Sequence, residues 1–158
     1  MRFSLMTFGA VLLLAAGCGD SGNGGGGSSI TVNPGESIQA AVDSAQPGQT
    51  VVVKPGDYTE THDGSAAVRI TKPLKLIADS TADKPVRILP GGSQRQGILV
   101  EPENSGDPDI DGLEIKGFTV QGFRNNGIWL RHVTNFNIEG NTSIDNLENG
   151  IWPTLSTN

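Results

Sequence analysis

The sequence predicts an all-β solenoid with a single helix near its start. Three observations carry this. The last 46 residues fall into two copies offset by 23. Short β-branched runs, each bounded by Gly, Pro, Asp or Asn, fill the body. Helical periodicity is confined to one stretch. The length, 158 residues, is enough for about one domain.

Composition narrows the function classes. The chain is 18% charged and 5% aromatic, with 22 glycines and a net charge of −6. That sign argues against a nucleic-acid partner, whose phosphates call for a basic stripe. Neutral or metal-bridged sugars stay open. Cys18 is the one cysteine, so no internal disulfide can form.

Residues 1–17 read MRFSLMTFGAVLLLAAG. A basic start at Arg2 precedes a short apolar run and small residues. The run is shorter than the ~20 residues that span a bilayer, and it fits an export signal. Its end, LLAAGC, resembles a bacterial lipobox, with Ala15 where leucine is commonest. The resemblance implies a lipidated Cys18; the alternative is a plain secretory signal. Each buried CH₂ of such an anchor contributes about 0.8 kcal/mol, and more than one chain holds stably. Removing residues 1–17 leaves 10 basic against 17 acidic residues, a net −7. Residues 18–29 form a Gly/Ser-rich tether, of which the 11 residues after Cys18 span roughly 17–20 Å as a coil. The expected product is exported and joined to a membrane through its lipid, as an outer-membrane or periplasm-facing lipoprotein. Its folded part is expected over 30–158.

The body opens with a β-rich run at 30–32. Then NPGESIQAAVDSAQPGQ predicts the helix. Ser37 can cap it, while Ile38, Val42 and Ala45 share one face, and Pro47-Gly48 stops it. TVVVKPGDY follows as a strand broken at Pro55-Gly56. Further runs lie at 68–70, 74–77, 86–89 and 97–100.

Placing LEIKGFTVQGFRNNGIWLRHVTN over FNIEGNTSIDNLENGIWPTLSTN matches nine of 23 positions. The matches are Ile115/Ile138, Gly117/Gly140, Thr119/Thr142, Asn126/Asn149, Gly127/Gly150, Ile128/Ile151, Trp129/Trp152, Thr134/Thr157 and Asn135/Asn158. A period in the twenties means stacked coils. Several short β-runs per period, with Gly and Asn at the corners, fit a parallel β-helix, right-handed as parallel crossovers almost always are. About five coils at roughly 4.8 Å each would make a stack near 24 Å tall. Asn158 aligns with Asn135, which directly precedes FNIEGN. The expectation is therefore an N-terminal piece of a longer solenoid, truncated at its C-terminal side.

SIQAAVDSAQPGQTVVVKPGDYTE resembles the N-terminal cap and first coil of bacterial β-helix proteins in the pectin-lyase-like superfamily. GFTVQGFRNNGIWLRHVTNFNIEGN resembles their repeat coils. The resemblance covers about 30–158 and speaks for fold. It implies no single chemistry, since the superfamily holds lyases, hydrolases, epimerases and proteins of no known activity.

Three features bear on chemistry. Trp129 and Trp152 share one repeat position. Strand alternation turns Ile128 and Leu130 inward and Trp129 and Arg131 outward, so two indoles would stack about 4.8 Å apart on an outer face. Such a platform suits sugar rings; a self-stacking ladder is the alternative. Arg131 lies beside it, although no lyase motif assigns it a catalytic role. Finally, 97–100 matches 127–130 at a spacing of 30, so seven extra residues lie within 101–111. Insertions in solenoids gather on the binding face. This one carries DPDIDG, the first six places of a calcium loop, but Phe118 stands where the twelfth place needs a carboxylate. A looser Ca²⁺ site at Asp107, Asp109 and Asp111 competes with a solvated acidic turn. His62 and His132 read as loop residues. The leading expectation is polysaccharide interaction at the cell envelope. A lyase or epimerase with catalytic coils past residue 158, and a structural or adhesive solenoid, are the alternatives, so whether the chain is an enzyme stays open.

Overall fold

The computed structural model describes residues 28–79 and 84–158. Cys18, residues 1–17 and most of the tether lie outside the described residues. The described chain is mostly strand. Its elements run β1 (Ile30–Val32), α1 (Ile38–Ser44), β2 (Thr50–Val53), β3 (Gly56–Thr59), β4 (Ala66–Ile70), β5 (Leu74–Ala78) and β6 (Val86–Leu89). They continue with β7 (Gln96–Val100), β8 (Ile110–Lys116), β9 (Phe118–Gln121), β10 (Ile128–Arg131), β11 (Val133–Glu139), β12 (Thr142–Ile144) and β13 (Ile151–Thr154).

Three sheets form, ordered β1-β2-β5-β8-β11, β3-β6-β9-β12 and β4-β7-β10-β13. Every strand pairing is parallel. From β2 onward the chain visits the three sheets in rotation and completes four such circuits. This is an all-β, parallel, solenoid-like arrangement. The 23-residue echo is a register: Phe136 faces Leu113, Thr142 faces Thr119 and Trp152 faces Trp129. Across the inserted loop the step is 30, with Ile128 opposite Ile98.

Alternation explains the core. Val51, Val53, Leu76, Ile88, Ile98, Val100, Ile115, Val120, Ile128 and Leu130 point inward and are fully buried. Each such side chain contributes about 1.5–3 kcal/mol by leaving water. The corners repeat as well. Positive φ recurs at matching places: Gly112 and Asn135, Gly117 and Gly140, Gly122 and Asp145, His132 and Leu155. Gly127 answers a second demand. A Cβ there would lie 2.6 Å from the Gly150 carbonyl oxygen and 2.7 Å from Asn146 Nδ2, so adjacent circuits could not close up.

The helix is held at both ends. Ser37 is its N-cap, its hydroxyl accepting from Ala40 N–H at 3.0 Å. Ile38, Val42 and Ala45 are buried, as their spacing predicts. Ala45, at the C-cap, donates its N–H to the Ala41 and Val42 carbonyls.

Candidate functional site

The outer face of the β4-β7-β10-β13 sheet carries a column of side chains in register: Arg69, Leu99, Trp129 and Trp152. Outward orientation follows from alternation against buried Ile128 and Leu130. The two indoles lie face to face, centroids 5.4 Å apart and planes 10° from parallel. Trp129 Nε1 donates to Thr154 Oγ1 at 2.9 Å. The Arg131 guanidinium sits 5.0 Å from the Trp129 centroid. It reaches toward Glu101, on the side away from β13, donating to Oε2 at 3.0 Å. Trp129 is therefore sandwiched between Arg131 and Trp152. The open aromatic face belongs to Trp152, which is 39% exposed. The ring-over-ring geometry is the one that a shared repeat position and a rung spacing of about 4.8 Å imply.

Glu101 stands where β7 hands over to the inserted loop, and it ties two circuits together. Its Oε1 accepts from Arg69 Nε at 3.3 Å while Oε2 accepts from Arg131. Arg69 also lies 3.5 Å from Glu103. Over these groups the loop encloses a cleft of about 370 Å³, lined by Arg69, Glu101, Glu103, Asp107, Arg131 and His132, among others. Clefts of this size suit small ligands or one stretch of a polymer. Arg131 faces both the cleft and the indole stack, so the two make one continuous surface.

The three aspartates of DPDIDG do not converge. Asp107 Oδ2 accepts from the Asn104 backbone N–H at 2.9 Å and side-chain amide at 3.1 Å, closing the loop on itself. Asp109 lies 3.4 Å from His132 Nδ1. Asp111 belongs to β8, not to the loop, and accepts from Thr134 and Asn135. Among the described residues no group of three or more His, Cys, Asp or Glu side chains is placed to hold a metal ion. The strand start at Ile110 pulls Asp111 out of the loop, which separates the carboxylates.

A larger cavity, about 670 Å³, lies between α1 and the β3–β4 connection, and it meets the cleft at Arg69. Its one buried carboxylate is already engaged. Glu60, 4% exposed, accepts from Ile38 N–H at 2.7 Å, Gln39 N–H at 3.3 Å and Ser37 Oγ at 2.6 Å. His62 closes its own loop, with Nδ1 accepting from Gly64 N–H and Nε2 donating to the Ala67 carbonyl. Sequence reasoning passed over Glu60. The one signal was general: the first N–H groups of a helix, here at Ile38 and Gln39, have no acceptor within the helix itself.

A second charged strip runs along the β2-β5-β8-β11 sheet. Lys116 lies between Glu114 and Glu139, and Lys75 also reaches Glu114. The hydrogen bond from Lys116 holds both carboxyls below their ordinary range, and Lys116 is raised in turn, first by its bond to Glu114. In the core, burial pushes the Tyr58 hydroxyl above its ordinary value, with the Glu36 charge adding to it.

No family model matches the chain, and neither a curated protein nor a solved structure matches it significantly.

Proposed function

We propose that this chain is an exported, lipid-anchored, right-handed parallel β-helix of the pectin-lyase-like kind that engages polysaccharide at the cell envelope. The observation that carries the reading is the surface shared by Trp152, Trp129 and Arg131 with the cleft under the inserted loop. The open indole face offers an apolar seat for a sugar ring. Beside it, guanidinium, carboxylate and amide groups offer donors and acceptors for hydroxyls. The rotation of the chain through three parallel sheets supports the helical winding. Right-handedness rests on the general rule for parallel crossovers. Export and lipidation rest on the sequence of residues 1–18.

The test is glycan pull-down with the full chain. Trp152→Ala is expected to lower retention about fivefold, since stacked aromatic contacts of this kind contribute on the order of 1 kcal/mol. Trp152→Ala combined with Trp129→Ala is expected to abolish it. Unchanged retention in the double variant would remove the basis of the reading. The face-to-face stacking itself favours a second reading, a structural solenoid in which the indoles serve as a ladder between circuits. In that case the double variant loses stability and no glycan is retained by either protein.

A further inference from the structure

The charge of the cleft under the inserted loop points to the class of sugar it takes. We infer that this cleft accepts glycans without carboxylates, neutral or amino-substituted, and disfavours polyuronates. The inference rests on the polysaccharide reading above.

Two cations line the cleft, Arg69 and Arg131, and both are already engaged. Arg131 pairs with Glu101 at 3.0 Å, and Arg69 pairs with Glu101 at 3.3 Å and Glu103 at 3.5 Å. Two further carboxylates, Asp107 and Asp109, line the same cleft. Asp107 is bonded only to neutral Asn104 groups, and Asp109 faces only His132. With His132 neutral, four carboxylates stand against two guanidiniums, a surplus of two negative charges. A uronate entering here would have to displace Glu101 or Glu103 from an arginine while approaching Asp107 and Asp109. Like charges at such separations repel, and the cleft walls screen them less than open water does. Hydroxyls meet no such penalty, and an ammonium group would find ready counter-charges.

Isothermal titration calorimetry of the full chain with cello-, chitosan- and galacturonan oligomers of matched length tests this at low salt. The expected result is galacturonan affinity about tenfold or more below the best of the other two, since like-charge juxtaposition acts chiefly on specificity. Asp107→Asn combined with Asp109→Asn should narrow that ratio about threefold, because exposed charges act weakly. Both residues are exposed, so the fold should survive. Galacturonan binding as tight as the other oligomers would overturn the charge inference and leave the polysaccharide reading standing. An unchanged ratio in the double variant would show that selection does not arise in this cleft. Absence of binding to all three would overturn the polysaccharide reading itself.

Discussion

The circuit β8–β10 and the circuit β11–β13 share a register and seven identical positions, yet they hold themselves differently. In the first, inward places carry Phe118, Val120, Phe123, Ile128 and Leu130, at most 1% exposed. In the second, those places carry Asn141, Ser143, Asn146, Ile151 and Pro153. Ile151 is 42% exposed where Ile128 is 0%. The large exposed hydrophobics among the described residues, Ile144, Leu147, Ile151, Trp152 and Leu155, all lie in the second circuit. Amides do there what apolar contact does below. Asn141 accepts from Phe118 N–H and donates to the Ile115 carbonyl. Asn146 accepts from Phe123 N–H and donates to the Val120 carbonyl. An inward direction is a property of the strand, whereas burial comes from having a circuit on each side.

The sharpest way to break this comparison is a matched pair of truncations. Ile128→Ala is expected to cost about 3–4 kcal/mol, and Ile151→Ala about 1 kcal/mol or less. Midpoints of urea unfolding at constant slope would measure both; equal losses would mean that the two circuits are equally enclosed. At the opposite end of the stack, Glu60→Ala strips three hydrogen bonds from the start of α1. It should cost about 2–3 kcal/mol, since the donors left behind include a buried N–H. A loss below half a kcal/mol, the size of an ordinary surface substitution, would show that the helix start is open to water. Asn146→Ala removes the bracket on Phe123 N–H and the Val120 carbonyl and should cost about 1–2 kcal/mol. If its effect matched a substitution on the charged strip, the amides would not be joining the circuits.

The smallest effect is expected from pH. Glu114 and Glu139 have folded pKa values below their ordinary value of 4.5. Their contribution is present above about that pH and fades as pH falls through the lowered values. The strip is open to water, so the loss should be slight, and replacing Lys116 with Met should remove it. Stability that rises as pH drops from 5 toward 3 (the acid window that linkage assigns to lowered carboxyls) would contradict the assignment.

Much of the fold was legible, for physical reasons. A 23-residue echo can be satisfied by stacking like upon like, and the strand pairings keep that offset. Ser37 and the spacing of Ile38, Val42 and Ala45 announced the helix locally. What depended on distant partners was hidden. Glu60 caps a helix 22 residues earlier in the chain, at Ile38. Arg131 reads as a plain surface arginine until Glu101 and Trp129 are brought to it across the sheet. DPDIDG is legible as acidic, but the start of β8 inside it separates the carboxylates. Leu155 holds a φ of 52°, a left-handed conformation that costs about 1–2 kcal/mol and that no leucine advertises. Its match in position with His132 is the only hint.

Parallel, in-register contact between successive circuits is the central claim. Through-hydrogen-bond NMR couplings test it directly. They should link Ile128 N–H to the Gly150 carbonyl, 2.9 Å apart, and Ile98 N–H to the Gly127 carbonyl, 2.8 Å apart. Couplings that join these amides to any other carbonyls, in an antiparallel or shifted ladder, would contradict it.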